Sequence, residues 1–336
     1  MTATLETSAT GTSTVRAPRL RLLRWVGYAA LLVAVLLLPW VTYPPVAVDI
    51  LCWGLFAMGL DILLGYTGLL SFGHAAFWGG SAYVAGLTAL HLGGPYYVAV
   101  AVGAVFAMLL AVPIGMLSVR RSGIYFAMVT LAFAQMIYFV ANRWRGLTGG
   151  ENGLQAVPTH FFGIDLVETE PFYFYYSALP VLVLAAFVAW RIVHSPFGRV
   201  LVAIRDNPDR ARALGYDVER YKVLAFVLSA GLSGVAGGLF TISHGFASLQ
   251  EVSWQTSGKV VLVTVLGGIG TLWGALAGSA VVVNLEDQLA TSGFNGTGII
   301  LGAIFIVVVL LFRRGIFGSL LLLLQRLSHR RRRRVR

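Results

Sequence analysis

The sequence is short of charge: only 12% of its 336 residues are Asp, Glu, Lys or Arg, against about 25% in a soluble globular domain. So little polar surface cannot cover a water-soluble core, which excludes a soluble enzyme. Cysteine is nearly absent as well. The single Cys52 excludes a disulfide framework, a cysteine zinc site and a cysteine-held iron–sulfur cluster. It lies in an apolar run, where a small packed side chain is expected. Lysine occurs only as Lys222 and Lys259. A nucleotide-binding P-loop needs Gly-x-x-x-x-Gly-Lys-Ser/Thr, but Gly258-Lys259 is followed by Val260, with Ser253 in the place of the first glycine. The chain therefore has no such route to ATP, and no cofactor is expected in it. No nucleophile–base pair or metal-ligand spacing lies in or beside an apolar run, so no catalytic residue is expected.

What the chain has in abundance is apolar sequence, 57% of its residues at a mean hydropathy of +0.79. A helix needs about 20 apolar residues to cross the hydrocarbon core, and only helices or closed barrels satisfy their own backbone there. Long uncharged runs, rather than alternating ten-residue segments, select helices. Spans are expected at 26–41, 46–64, 75–90, 97–119, 124–141, 172–190 and 223–243. The uncharged run 260–285 is interrupted by Gly267-Gly268-Ile269-Gly270 and reads as two short segments; 297–312 and 316–324 follow. The fold class is thus all-α, a polytopic membrane bundle of about eight to ten membrane-entering helices. The first run resembles a signal peptide but ends in Thr42-Tyr43-Pro44-Pro45 without a small-residue cleavage site, so an uncleaved span is expected. Trp40, Tyr43, Tyr96, Tyr97, Tyr173, Tyr175 and Tyr176 stand at span ends, where interfacial aromatics belong.

The formal charge of +11 would suit a nucleic-acid partner if it were spread through the chain. It is not. Eleven cations lie before residue 25 or after residue 325, at Arg16, Arg19, Arg21, Arg24, Arg326, Arg330 to Arg334 and Arg336, leaving 14 cations against 13 acids between. Cations beside spans mark the cytoplasmic side and favour anionic lipid, so the partner expected of them is membrane lipid and no nucleic acid. This gives a disordered basic cytoplasmic N-terminus at 1–24, a membrane domain at 25–325 and an Arg-rich cytoplasmic tail at 326–336. Within the domain, the basic loop 191–222 is expected inside and the loop 142–171, with two Arg and four acids, outside.

Three segments carry more than hydropathy. The stretch Gly65-Tyr66-Thr67-Gly68-Leu69-Leu70-Ser71-Phe72-Gly73-His74 is too rich in glycine for an ordinary helix. Such backbone at membrane depth is tolerated where it is buried in protein or lines a wet cavity. It reads either as an element of a translocation path, through Gly65, Thr67, Gly68, Ser71 and Gly73, or as a tight cytoplasmic turn. His74 reads as a hydrogen-bonded structural residue. Thr130 and Gln135, inside an apolar run, are either path residues or interhelical hydrogen-bonding groups. Asp61 stands near a span end, within reach of the interface, and no spaced set of intramembrane carboxylates or histidines is evident. Gly270, Gly274 and Gly278 are spaced to share one helix face, and Gly231, Gly234, Gly237 and Gly238 do something similar.

The third segment is 195–216. Asp206 or Asn207 can cap a short helix beginning at Pro208, with Gly215 as its stop. Two turns of helix are not stable alone, so docking into another body accounts for it better than a solvated basic loop.

Here the sequence resembles the M-type permease subunits of bacterial branched-chain amino acid ABC importers. The matching stretches are LLGYTGLLSFGHAAFWGGSAYVAG (63–86), SGIYFAMVTLAFAQM (122–136), LTGGENGL (147–154), the 203–238 block ending in LAFVLSAGLSGVAGGL, and VLGGIGTLWGALAG (265–278). In such permeases a Glu-Ala-Ala-x-x-x-Gly pattern marks the helix that docks on the ATPase. The corresponding residues here are Asp209, Arg210, Ala211, Arg212, Ala213, Leu214 and Gly215, with Arg210 departing from the pattern. The resemblance implies a bacterial plasma-membrane assembly with two ABC ATPase subunits, a sister permease subunit and an external solute-binding protein. Closely similar permeases carry urea and short amides, so the resemblance leaves branched-chain amino acids and urea both open. A stand-alone channel or ion-coupled carrier is the alternative of another class, disfavoured by the lack of paired intramembrane charges.

Overall fold

The computed structural model describes residues 27, 32–92, 94–158, 160–161, 164–165, 171–292, 298–300, 302–303 and 306. The expected segment 316–324, most of 297–312 and the basic ends at 1–24 and 326–336 lie outside them. The chain divides into two units, Met1–Tyr43 and Pro44–Arg336. In the first, an apolar helix α1 spans Leu32–Val41, closed by Thr42 Oγ1 donating to Leu38 O.

The second unit is a bundle of apolar helices. α2 (Pro44–Asp61) runs into a π-helical turn, Ile62–Thr67, and α3 spans His74–Leu92, α4 Tyr96–Ser118 and α5 Ile124–Arg143. A link with the short helix α6 (Arg145–Thr148) and a two-residue hairpin pairing β1 (His160–Phe161) with β2 (Ile164–Asp165) leads to α7 (Pro171–Val193). Two short helices follow, α8 (Pro196–Asp206) and α9 (Pro208–Ala213), then α10 (Val218–His244), a 3-10 turn at Leu249–Val252, α11 (Trp254–Gly267) and α12 (Gly274–Thr291). Among the described residues, five helices are long and apolar enough to cross a membrane, counting α2 with its π turn, α4, α5, α7 and α10. The fold is an all-α polytopic membrane bundle. The interrupted run is indeed two helices, because Gly267 ends α11 and α12 starts only at Gly274.

These helices are apolar all round, as lipid allows. On α4, Val105, Leu109, Val112 and Met116 form an exposed stripe at helical spacing, while Ala104, Ala107 and Ala111 are buried against the bundle. α2 is buried on almost every side, enclosed by α7, α10, α11 and α12. α10 packs on α2, α3 and α4, and its glycines serve different neighbours: a Cβ on Gly234 would lie 2.7 Å from Ala107, one on Gly231 2.9 Å from Met108, and one on Gly237 2.8 Å from the backbone carbon of Trp78. Bulk at Gly237 has to push α3 and α10 apart. Gly237→Val is therefore expected to destabilise the protein by about 1–3 kcal/mol, read as a lower melting temperature in detergent. Gly258, with nothing within 4 Å of a Cβ, is the contrast, and Gly258→Ala should raise stability by about 0.5–1 kcal/mol.

Several sequence expectations are corrected. Gly270 does not share a helix face with Gly274 and Gly278; it lies in the break at φ +76°, outside α12. Asp61 does not reach the interface, being 1% exposed. Tyr96 and Tyr175 stand near the starts of α4 and α7, where both are buried against the bundle, and Tyr96 donates to Ser177. Cys52 is fully buried among apolar neighbours, as expected.

Candidate functional site

The residues singled out in 65–74 form a buried polar knot. Asp61 ends α2, and its carboxylate accepts from Gly270 N at 2.7 Å and Leu272 N at 3.0 Å. Both donors belong to the α11–α12 break, where a helix end leaves N–H groups without partners. Leu272 sits at φ +48°, a conformation uncommon for a residue with a side chain. Tyr66 Oη donates to Gly270 O at 3.1 Å, and a Cβ on Gly65 would lie 2.5 Å from Gly270 N. The π turn and the break therefore touch backbone to backbone, and only glycine at 65 permits it.

The next residues are satisfied in the same manner. Thr67 Oγ1 donates to Ile62 O, and Gly68 turns the chain at φ +76°. His74 Nδ1 pairs with Ser71 Oγ at 2.9 Å and Nε2 with Ser229 Oγ at 2.8 Å, while Ser229 itself donates to Gly59 O. His74 thus ties α3 to α10. Thr130 is buried, donates to Ala127 O and accepts from Phe72 N, and a Cβ on Gly73 would lie 2.6 Å from Thr130 O. Gln135 is half-buried on α5.

At 195–216, Ser195 caps α8 by accepting from Gly198 N, and Asn207 caps α9 by accepting from Arg210 N at 2.9 Å. Gly215 follows at φ +88°, the left-handed stop expected. Ala211 is buried against Ile204 and Val218. Asp209, Arg210, Ala213 and Leu214 are exposed, Leu214 to 71%, so Arg210 meets no conflict within the chain. Asp209 and Arg212 pair at 2.7 Å across the outer face. From α8, Arg205 Nη1 reaches back to donate to Gly65 O at 2.5 Å.

A cavity of about 770 Å³ opens elsewhere in the unit, between α2, α3, α10, α11 and α12. The sequence reading missed it. Its aromatic wall joins Trp53, Trp78 and Phe240, with Trp53–Trp78 centroids 5.2 Å apart and Trp78–Phe240 5.1 Å. On one side Asp49 Oδ2 lies 3.5 Å from His244 Nε2. On another, Lys259 Nζ contacts Glu286 Oε2 and stands 3.9 Å over the Trp53 ring, a cation–π geometry. Glu251 lines it too, accepting from Ser248 N and Thr241 Oγ1. The sequence showed neither of these acid–base contacts. Asp49 and His244 belong to helices that can span the membrane, and Lys259 meets Glu286 because the break folds the run 260–285 back on itself. The flanking positions of Lys259 and Glu286, one at each end of an uncharged run broken by glycines, were the available signal. None of Gly65, Thr67, Gly68, Ser71, Gly73, Thr130 and Gln135 lines this cavity.

Similarity to known proteins decides the class. The family described as branched-chain amino acid transport system / permease component matches residues 45–309. The chain belongs to this family. It is a transport-system permease, not an enzyme, and a multi-pass membrane protein. The permease is 26% identical over 284 residues to the high-affinity branched-chain amino acid transport system permease protein LivM of Escherichia coli K12, covering 78% of this chain and 67% of that protein. LivM of Salmonella typhimurium LT2 gives the same identity and coverage. The autoinducer 2 import system permease protein LsrC of Salmonella choleraesuis is 31% identical over 160 residues, 46% of this chain and 43% of that protein. No solved structure matches the chain. Among the described residues no group of three or more His, Cys, Asp or Glu is placed to hold a metal ion.

Proposed function

We propose that this permease is a membrane subunit of a bacterial ATP-driven importer for branched-chain or related amino acids. A sister permease completes the membrane pore, one of two ABC ATPase subunits docks on α9 from the cytoplasm, and an external solute-binding protein delivers the solute. The similarity to LivM supports the solute class. The observation that carries the docking role is the capped helix α9, which buries only Ala211 and leaves Asp209, Arg210 and Leu214 outward. Leu214, 71% exposed beside Asp209 and Arg210 at the end of this capped helix, is the side chain we assign to the ATPase contact.

The hydrogen bonds give this surface a route inward. α9 is continuous with α8 through Asn207, Arg205 of α8 holds Gly65 O, and Gly65 abuts Gly270 in the break between α11 and α12. Those two helices carry Lys259 and Glu286 into the cavity. Nucleotide-driven movement of α9 is thereby passed to the cavity wall as a shift of packed helices. In this reading the glycine-rich segment 65–73, with Thr130 against it, lies between the docking helix and the solute path, and Gln135 on α5 lines that path.

The test is capture of the ATPases. The full chain is co-expressed with ATPase subunits of the same genome and purified in mild detergent. Leu214→Asp is expected to lower the ATPase recovered by about tenfold, as loss of an apolar interface anchor does, with the melting temperature of the permease unchanged. Equal recovery from wild type and variant would remove the docking role from α9.

A further inference from the structure

Arg210 and Leu214 lie one helical turn apart, Leu214 being the residue that closes α9, and side chains at that spacing are neighbours on one flank of a helix. Both are exposed. The flank is held in place by its backbone and not by its side chains. Asn207 Oδ1 accepts from Arg210 N at 2.9 Å, Leu214 N donates to Arg210 O at 3.2 Å, and Ala211 anchors the helix against Ile204 and Val218. One guanidinium and one apolar side chain are thus presented together to whatever docks on α9.

The acids around Arg210 are already taken. Asp206 pairs with Arg205 at 3.2 Å, Asp209 with Arg212 at 2.7 Å and Asp217 with Arg220 at 2.8 Å, while Glu219 acts on Lys222 of its own helix. Among the described residues no acid pairs with Arg210. In water an unpaired guanidinium costs nothing. Under a partner it does, because a body that covers Leu214 also covers the guanidinium beside it. A charge taken out of water without a counter-charge opposes association. The loop has no free aspartate to offer, so the carboxylate has to come from the partner.

We propose that α9 selects its ATPase subunit by charge, with Arg210 pairing to an Asp or Glu at the rim of the apolar pocket that takes Leu214. This rests on the docking reading of α9 and adds the chemistry of the partner's surface. It also makes Arg210 a specificity-determining residue, at the position where the helix departs from the Glu-Ala-Ala-x-x-x-Gly pattern. An ATPase subunit with a cation or an apolar residue at that rim is refused, since it leaves Arg210 covered and uncompensated. The exposed Asp209–Arg212 pair satisfies itself and makes no such demand.

The experiment repeats the capture of ATPase subunits of the same genome by the full chain in mild detergent, with Arg210→Lys, Arg210→Met and Arg210→Glu beside wild type. Arg210→Met is expected to lower the ATPase recovered about tenfold or more, because it leaves the partner's carboxylate covered and unpaired. Arg210→Glu should lower it further, by repulsion. Arg210→Lys should keep most of it, a cation being retained without the planar fork. The melting temperature should not move in any of them, since Arg210 is exposed and holds α9 only through its backbone. Surface Asp and Glu residues of the ATPase are then changed singly to Arg, and one such reversal should restore recovery with Arg210→Glu while losing it with wild type. Recovery with Arg210→Met equal to wild type, or no reversal that restores Arg210→Glu, would overturn the pairing. Leu214→Asp separates this result from the docking reading. If it loses the ATPase and the Arg210 variants do not, α9 docks without the acid; if it recovers the ATPase normally, docking itself fails and the pairing with it.

Discussion

Asp61→Ala is expected to be the most damaging single substitution in the described bundle. The Asp61 carboxylate accepts from Gly270 N and Leu272 N, and it is 1% exposed. Alanine leaves the buried Leu272 N–H and the half-buried Gly270 N–H without their acceptor. Each such group costs about 1–3 kcal/mol, so the loss is of order 2–6 kcal/mol, a large part of the ~5–15 kcal/mol that holds a typical protein folded. The break would lose its anchor at Leu272, whose φ of +48° then has nothing to hold it. The expected result is a strongly lowered melting temperature in detergent, with aggregated material in size-exclusion profiles. Asp61→Asn should fall between wild type and alanine, since its one amide oxygen satisfies one N–H while its NH₂ faces the other. Wild-type melting of Asp61→Ala would mean that the break is held by its helices and not by the carboxylate.

The second large effect is functional and concerns Arg205. Its Nη1 donates to Gly65 O at 2.5 Å, and the same guanidinium pairs with Asp206 on the exposed side. Because the side chain is partly exposed, Arg205→Met costs little folding energy. It removes the only side-chain hydrogen bond described between α8 and the glycine turn. In the assembled importer, solute uptake into proteoliposomes is expected to fall about tenfold, in line with loss of about 1.5–3 kcal/mol in a charge-assisted hydrogen bond. ATP hydrolysis should continue near the wild-type rate, because α9 and its outward face are untouched. Uptake and hydrolysis falling together would place Arg205 in docking rather than in transmission. Lysine at 205 should restore part of the uptake, since it keeps a cationic donor but not the reach of the fork.

The architecture was legible where physics acts along the chain. Low charge and long apolar runs dictate membrane helices, since a backbone in lipid has to satisfy itself locally. The α9 caps were readable at Asn207 and Gly215 because capping involves neighbours three or four residues apart. Glycines at 267–270 announced a break in the run 260–285 for the same local reason. His74 was correctly placed as a structural residue, although its partner Ser229 lies 155 positions away.

The site was hidden because it depends on what the break brings together. Lys259 and Glu286 are 27 residues apart, and as a sequence pattern they merely bracket an uncharged run. Only the packing of α11 on α12 makes them a pair. Asp61 looked like an acid near an interface, and Asp49 stands on the same helix. Their roles differ because α2 is enclosed on nearly every side, with one acid turned toward a cavity and the other toward two backbone donors. The sequence alone determined that the chain is a multi-helix membrane protein without cysteine chemistry or a nucleotide loop, since composition and local hydrogen bonding decide those properties. The tertiary structure decided which scarce charges meet, because in a nearly uncharged bundle that depends on contacts between residues distant in the chain.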